Sequence, residues 1–142
     1  MTPAEIDLAR RIIACGLPAP AHRPSMFADS VIAKLGNEVV ATHHNAGSTD
    51  YDPATRILWQ VVTTDTGPEL LPVLEDYALL GWLITEARRR LDEPHLRTRW
   101  SKSGQRWEVY GDSAKWRNVV GYHAGVGETE VAALVAALEA AK

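Results

Sequence analysis

Apolar residues recur every three or four positions in three stretches of the chain, and each stretch predicts an amphipathic helix. The first begins after Thr2 and Pro3, which place a capping hydroxyl and a proline where a helix start favours them, and it ends at Gly16. The second follows Asp76 and finishes in an arginine-rich last turn. The third is rich in alanine and starts after Gly127.

Between the first two helices, runs of branched and aromatic residues predict β-strands. Gly36-Asn37 separates residues 30–35 from residues 38–44 and suits the positive φ values of a tight hairpin turn. Residues 56–63 predict a third strand. An amphipathic helix over residues 26–35 is the competing interpretation, since periodicity does not distinguish the two in so short a run.

Polar and proline-rich stretches separate these strands. The segment 45–53 is mostly polar, and residues 64–72 contain Pro68 and Pro72. Both segments therefore predict loops or connectors rather than strands.

The last third of the chain repeats this alternation. Residues 96–101 and 105–110 alternate around a Ser-Gly turn, and residues 118–123 supply a further short run, so a three-stranded meander is expected. Gly125-Val126-Gly127 is interpreted as the start of the final helix, because the acidic residues that follow suit the positive end of a helix dipole.

Together these elements predict an α+β protein in the order α-β-β-β-α-β-β-β-α, forming one domain over residues 1–142. Hairpin connections favour an antiparallel sheet, in two three-stranded units, packed with the three helices. The apolar positions expected to share one core are Ile6, Leu83, Ile84, Trp100, Trp107, Leu134 and Leu138.

Composition argues against several classes of protein and indicates a cellular compartment. The formal charge of −3 argues against general nucleic-acid binding, which usually requires a strongly basic surface. A single cysteine, Cys15, cannot close an intramolecular disulfide, which favours a reducing compartment. We find neither a secretory leader nor an apolar run of membrane-spanning length, so we expect a cytoplasmic protein with no membrane partner.

One face of the predicted meander concentrates positive charge. Strand alternation places Arg97, Arg99, Arg106 and Tyr110 on the side away from Trp100 and Trp107. Six Lys or Arg side chains lie between residues 94 and 123 against two acidic ones. Guanidinium groups and aromatic rings can hold phosphate and stack a base.

Three further residues add candidate ligand groups to this region, namely Arg117, Tyr122 and His123. The alternative interpretation is that the arginines form the solvated outer face of a half-buried sheet, where exposed charges are ordinary.

The sequence contains no clear catalytic or metal-binding motif. His43 and His44 precede Asp50 and Asp52, but they lack the spacing of a zinc site and no cysteine accompanies them. We therefore expect no metal, no cofactor and no catalytic residue.

Three segments resemble small phage and prophage proteins. They are EIDLARRIIACG, LPVLEDYALLGWLITEARRRL, and WEVYG with GETEVAALVAALEAA. Their layout, concentrated in residues 1–16 and 72–142, is similar to the phage ABA sandwich domain. The resemblance implies an accessory protein acting in the host cytosol, in a class that includes anti-defence sponges for nucleotide-derived immune signals. It assigns no ligand-binding residue.

The leading hypothesis is therefore a non-enzymatic protein, expected as a homo-oligomer, that sequesters a nucleotide-type small molecule through the arginine face. The first alternative is a protein–protein inhibitor of a host defence enzyme, which an exposed apolar patch would favour. The second is a small metal-dependent hydrolase or nuclease using His43, His44 and Asp50, which requires those side chains to converge on a cleft.

Overall fold

A computed structural model of the chain describes residues 1–20, 31–42, 49–111 and 123–141. These residues divide into two compact units, Met1–Leu79 and Leu80–Lys142. Each unit combines helix and sheet, which confirms the predicted α+β class. No helix among the described residues is long and apolar enough to cross a membrane. The prediction of one domain over residues 1–142 stays a prediction.

The first unit is a five-stranded mixed sheet preceded by a helix. Strand order is β2-β1-β5-β4-β3, and every neighbouring pair is antiparallel except β1 and β5, which run parallel. The elements are α1 Pro3–Ala14, β1 Val31–Leu35, β2 Glu38–Thr42, β3 Thr49–Tyr51, β4 Leu58–Thr64 and β5 Gly67–Pro72.

Local signals in this unit act as expected. Thr2 caps α1, where its hydroxyl accepts a hydrogen bond from the Glu5 amide at 3.1 Å. Gly36 has φ +62°, and with Asn37 it forms the two-residue turn between β1 and β2. The predicted hairpin is thus confirmed, and residues 31–35 are strand rather than helix, whereas residues 26–30 lie outside the described residues.

The two predicted connectors are wrong in part, because residues 49–51 and 67–72 are strands. β5 lies in the middle of its sheet, where Leu70 and Leu71 are both fully buried on opposite faces. A strand covered on both faces has no polar alternation, so the usual period-2 signal is missing. β3 has only three residues and is too short to show a period. Residues 45–48 lie outside the described residues.

An ion pair ties α1 to the central strand. Glu69 of β5 is buried, and its carboxylate accepts hydrogen bonds from Nε and Nη2 of Arg10, the former at 3.0 Å. Hydrogen bonding from Arg10 holds the pKa of Glu69 below its ordinary value of 4.5, although burial opposes this shift. The folded state therefore binds the proton of Glu69 less readily than the unfolded chain does.

This pair predicts a pH-dependent contribution to stability. Because the pKa of Glu69 is lowered on folding, its contribution is present above pH 4.5 and is lost as pH falls through the lower folded pKa. We expect Glu69→Gln to flatten the fall in unfolding free energy between about pH 5 and pH 3, measured by urea denaturation. Glu38→Gln, at an exposed position, is the control and should keep the wild-type slope. An unchanged slope in Glu69→Gln would contradict the assignment.

The second unit is a three-stranded antiparallel sheet with a final helix. Strand order is β6-β7-β8, and α3 packs mainly on β8 and β7. The elements are α2 Tyr77–Arg90, which begins at the end of the first unit, then β6 Arg97–Ser101, β7 Arg106–Tyr110, β8 Gly125–Gly127 and α3 Glu130–Ala140.

The third strand of this sheet differs from the prediction. Gly125–Gly127 was expected to begin the final helix, but it pairs with β7 as β8, and Thr129 caps α3. A Cβ on Gly125 would lie 2.5 Å from the Ala137 amide nitrogen, and one on Gly127 would lie 2.6 Å from that of Ala133. Both glycines are thus required by the close approach of the helix backbone. Of the predicted strand 118–123, residues 118–122 lie outside the described residues.

These strands correct the predicted order. In the described residues the order is α-β-β-β-β-β-α-β-β-β-α, so the three-stranded unit is confirmed only in the second half. Five strands replace the predicted three in the first half.

Burial confirms three of the seven predicted core positions. Leu83, Leu134 and Leu138 are fully buried, whereas Ile6 and Ile84 are half-buried. The prediction for the tryptophans is wrong for Trp100, which is 44% exposed. It lies on β6, the strand farthest from β8 in this sheet, and α3 packs mainly on the other two strands. Its partner Trp107 is half-buried and meets it edge to face, with ring centroids 6.1 Å apart.

Candidate functional site

The pairing of β6 with β7 determines which side chains share a face. Arg97 lies opposite Tyr110, Arg99 opposite Glu108, and Ser101 opposite Arg106. Directly opposed residues in an antiparallel pair point to the same side of a sheet. The predicted common face of Arg97, Arg99, Arg106 and Tyr110 is therefore confirmed, and we call these four residues with Glu108 the arginine face. Binding of a ligand there stays a prediction.

The other side of this strand pair faces α3. Val109 is fully buried, and it pairs with Thr98 and with Gly125, against which α3 lies. The Thr98 hydroxyl donates a hydrogen bond to Glu130 in the first turn of α3. The final helix therefore covers the side of the strand pair opposite the arginine face.

Tyr110 is the centre of a stack of planar groups. The Arg97 and Arg99 guanidinium carbons lie 4.8 and 4.5 Å from the centroid of the Tyr110 ring. Arg97 Nε also donates a hydrogen bond to the Tyr110 hydroxyl at 2.8 Å. Cation–π contact and this hydrogen bond hold two positive charges beside one ring. The arrangement concentrates cationic donors at one end of the arginine face.

Glu108 organises the other end. It is buried on this face and accepts hydrogen bonds from Arg99 Nε at 3.4 Å and from Arg106 Nη2 at 3.3 Å. His123 Nε2 lies 3.9 Å from the same carboxylate and 3.1 Å from Arg106 Nη2. The geometry thus shows that Glu108 is an internal partner for two of the arginines.

Arg106 therefore has a structural role within the protein, which the sequence did not indicate. Its Nε is buried and has no hydrogen-bond partner among the described residues. Gly104 of the preceding turn covers it so closely that a Cβ there would lie 3.1 Å away. The Arg106 side chain as a whole is 42% exposed, although its Nε is buried. Replacing Arg99 and Arg106 together would remove two partners of a buried carboxylate, so loss of folding would be the expected result.

The net charge of this strand pair remains positive. From residue 97 to residue 110 four cationic side chains accompany one carboxylate, that of Glu108. Arg99 shares that carboxylate while its side chain stays just over half exposed. Positive charge in excess of the internal ion pairs is what an anion-binding surface requires.

Several predicted site residues lie outside the described residues. These are Arg117 and Tyr122 of the ligand-binding hypothesis and His43 and His44 of the hydrolase hypothesis. Asp50 lies in β3. Of the described candidates, His123 alone joins the arginine face through its contact with Arg106.

Asp52 has a structural role within its own loop. Its buried carboxylate accepts hydrogen bonds from the Thr55 hydroxyl at 3.0 Å and the Ala54 amide at 3.3 Å. Within residues 1–20, 31–42, 49–111 and 123–141, no group of three or more His, Cys, Asp or Glu side chains is placed to hold a metal ion. The described geometry therefore gives the hydrolase hypothesis no support.

No protein-family model, curated protein or solved structure matches this chain, so its resemblance to the phage ABA sandwich domain stays a prediction.

Proposed function

We propose that this chain is a non-enzymatic binding protein that sequesters a nucleotide-derived signalling molecule at the arginine face. The observation that supports this most directly is the pair of guanidinium groups stacked on Tyr110. Two planar cations beside one ring offer several N–H donors to a phosphate group. Phosphate is the anionic part common to all ligands of this class.

The ion pairs within the arginine face indicate which arginines bind the ligand. Arg97 and Arg99 bind the phosphate, because Arg106 is held by Glu108 and His123 and its Nε is covered. The hydrogen bond from Arg99 to Glu108 fixes the position of the Arg99 side chain. A base then stacks on the exposed side of a guanidinium, as bases do on arginine platforms.

The biological setting of this proposal comes from the resemblance to phage proteins. A protein of this kind would act in the host cytosol and lower the free concentration of an immune signal without converting it. Such a function needs affinity for an anionic ligand and no catalytic group. A homo-oligomer, which we also propose, would place several arginine faces on one particle.

A second candidate function is inhibition of a host protein by direct contact, and one observation favours it. Trp100 is 44% exposed on the opposite side of the sheet from the arginine face. Tryptophan is enriched in the energetically dominant positions of protein interfaces. Loss of inhibition in Trp100→Ser, with nucleotide binding intact, would support this function over sequestration.

The sequestration proposal predicts that Arg97→Gln combined with Arg99→Gln weakens nucleotide binding at least tenfold. The reason is the loss of hydrogen bonds to a charged group, which contribute more than neutral ones. Titration calorimetry with a panel of cyclic and linear nucleotides measures the effect. Wild-type affinity should also fall as salt rises, because the ions screen the contact.

Two control proteins accompany this experiment. Arg89→Gln removes one positive charge from α2, where Arg89 pairs with Glu86 of the same helix, and should leave affinity unchanged. Arg97→Lys with Arg99→Lys keeps both charges but loses the planar donors, so it should bind with intermediate affinity. No heat from any nucleotide with folded wild-type protein would overturn the proposal.

A further inference from the structure

The first unit contains a cavity, and none of the residues that line it belongs to the arginine face. It has a volume of about 550 Å³ and is lined by Tyr51, Pro53, Arg56, Leu58 and Asp76. These residues come from the β3–β4 hairpin and from the position directly before α2. A volume of this size accommodates a small molecule.

The hairpin loop that supplies Arg56 is held by internal hydrogen bonds. The Asp52 amide donates to the Ile57 carbonyl at 2.9 Å, and the Arg56 amide donates to the Asp52 carbonyl at 2.7 Å. Arg56 itself has φ +64°, an uncommon conformation for a residue with a side chain. The loop thus fixes the backbone position from which the Arg56 side chain extends, at the rim of the cavity.

The Asp76 side chain, which also lines the cavity, is likewise held by hydrogen bonds. Its carboxylate accepts hydrogen bonds from the Leu58 amide at 2.8 Å and from the Ala78 amide at 3.3 Å, one on each oxygen. Each carboxylate oxygen can accept a further hydrogen bond. Asp76 therefore keeps acceptor capacity at the wall of the cavity.

These two opposite charges line one cavity without pairing. The structure gives the Arg56 guanidinium no ion pair or side-chain hydrogen bond with any residue in the described part of the chain, Asp76 included. Both charged groups are therefore open to the two charges of one ligand.

We propose that this cavity binds a small zwitterion with a flat apolar group, of the type of an aromatic amino acid. Its carboxylate pairs with the planar donors of Arg56, and its ammonium pairs with Asp76. Its ring lies against Tyr51 and Pro53, which supply a flat wall. The inference is independent of nucleotide binding, since it uses no residue of the arginine face.

The first test asks whether both charges of the ligand are needed. L-Phenylalanine and L-tyrosine are titrated into the isotope-labelled protein, and amide shifts are followed by NMR. We expect saturable shifts at Tyr51, Arg56 and Asp76. Two half-ligands, 3-phenylpropionate without the ammonium and phenethylamine without the carboxylate, should each bind at least tenfold more weakly.

The second test uses variants that preserve the backbone. Arg56→Asn removes the charge but keeps a residue that tolerates positive φ, and Asp76→Asn keeps a good helix cap. Each should weaken binding of L-phenylalanine at least tenfold while the amide spectrum elsewhere stays unchanged. Arg89→Gln, at an exposed position of α2, is the matched control and should bind L-phenylalanine as the wild type does.

The outcomes separate this proposal from the sequestration proposal. Equal binding of the half-ligands and the amino acids, or no shift at Arg56 with millimolar L-phenylalanine, would overturn the zwitterion site and leave nucleotide binding untouched. Nucleotide shifts confined to residues 97–110, with amino-acid shifts confined to residues 51–76, would support both.

Discussion

Gly125→Ala should destabilise the second unit by about 3 kcal/mol, the upper end of the usual cost of forcing added atoms into a packed region. The new methyl group would meet the Ala133 carbonyl oxygen and lie 2.5 Å from the Ala137 amide nitrogen. Both are backbone atoms of α3, so neither can rotate away. The variant can relieve the clash only by moving the whole helix off β8. Urea denaturation followed by circular dichroism measures the loss.

A second glycine supplies a control of opposite sign. Gly81 lies in α2, is exposed, and has no atom within 4 Å of the place where a Cβ would stand. Gly81→Ala should therefore stabilise the protein by about 0.5–1 kcal/mol, because glycine costs conformational entropy in a helix. If both alanine variants changed stability in the same direction, the close packing of α3 on β8 would be wrong.

Leu83→Ala should lower the free energy of unfolding by about 2–5 kcal/mol. Leu83 of α2 is fully buried, so truncation removes buried methyl groups and leaves a cavity. The matched control is Tyr77→Ala, which removes a larger side chain from the same helix at a position that is 88% exposed. The control should change stability little. A thermal midpoint for Leu83→Ala equal to that of the wild type would mean that α2 buries a different face.

Features with a local cause could be predicted from the sequence. Thr2 and Pro3 mark the start of α1 because a cap satisfies backbone amides within a few residues. Gly36-Asn37 fixes the first hairpin for the same reason, since the turn depends only on its own backbone angles. The shared face of Arg97 and Arg99 followed from strand alternation alone.

Features that depend on distant partners were missed. β5 has prolines at 68 and 72 and two consecutive buried leucines, so only its neighbours β1 and β4 explain why it is a strand. In the sequence, Gly125 and Gly127 resemble a helix start. Glycine is required there because the backbone of α3 packs closely on both residues. The burial of Glu108 between Arg99 and Arg106 likewise required the register of β6 and β7.

The parallel pairing of β1 with β5 determines how the first sheet must assemble. β1 and β2 form one hairpin, while β3, β4 and β5 form a second group joined through short turns, and the two groups meet only where β1 lies beside β5. Each group closes through contacts near in sequence, whereas their union must first bring distant parts of the chain together. We therefore expect the union to be the slow event. Substitutions that weaken the β4–β5 hairpin should mainly affect an early folding step, and those along β1 the late one.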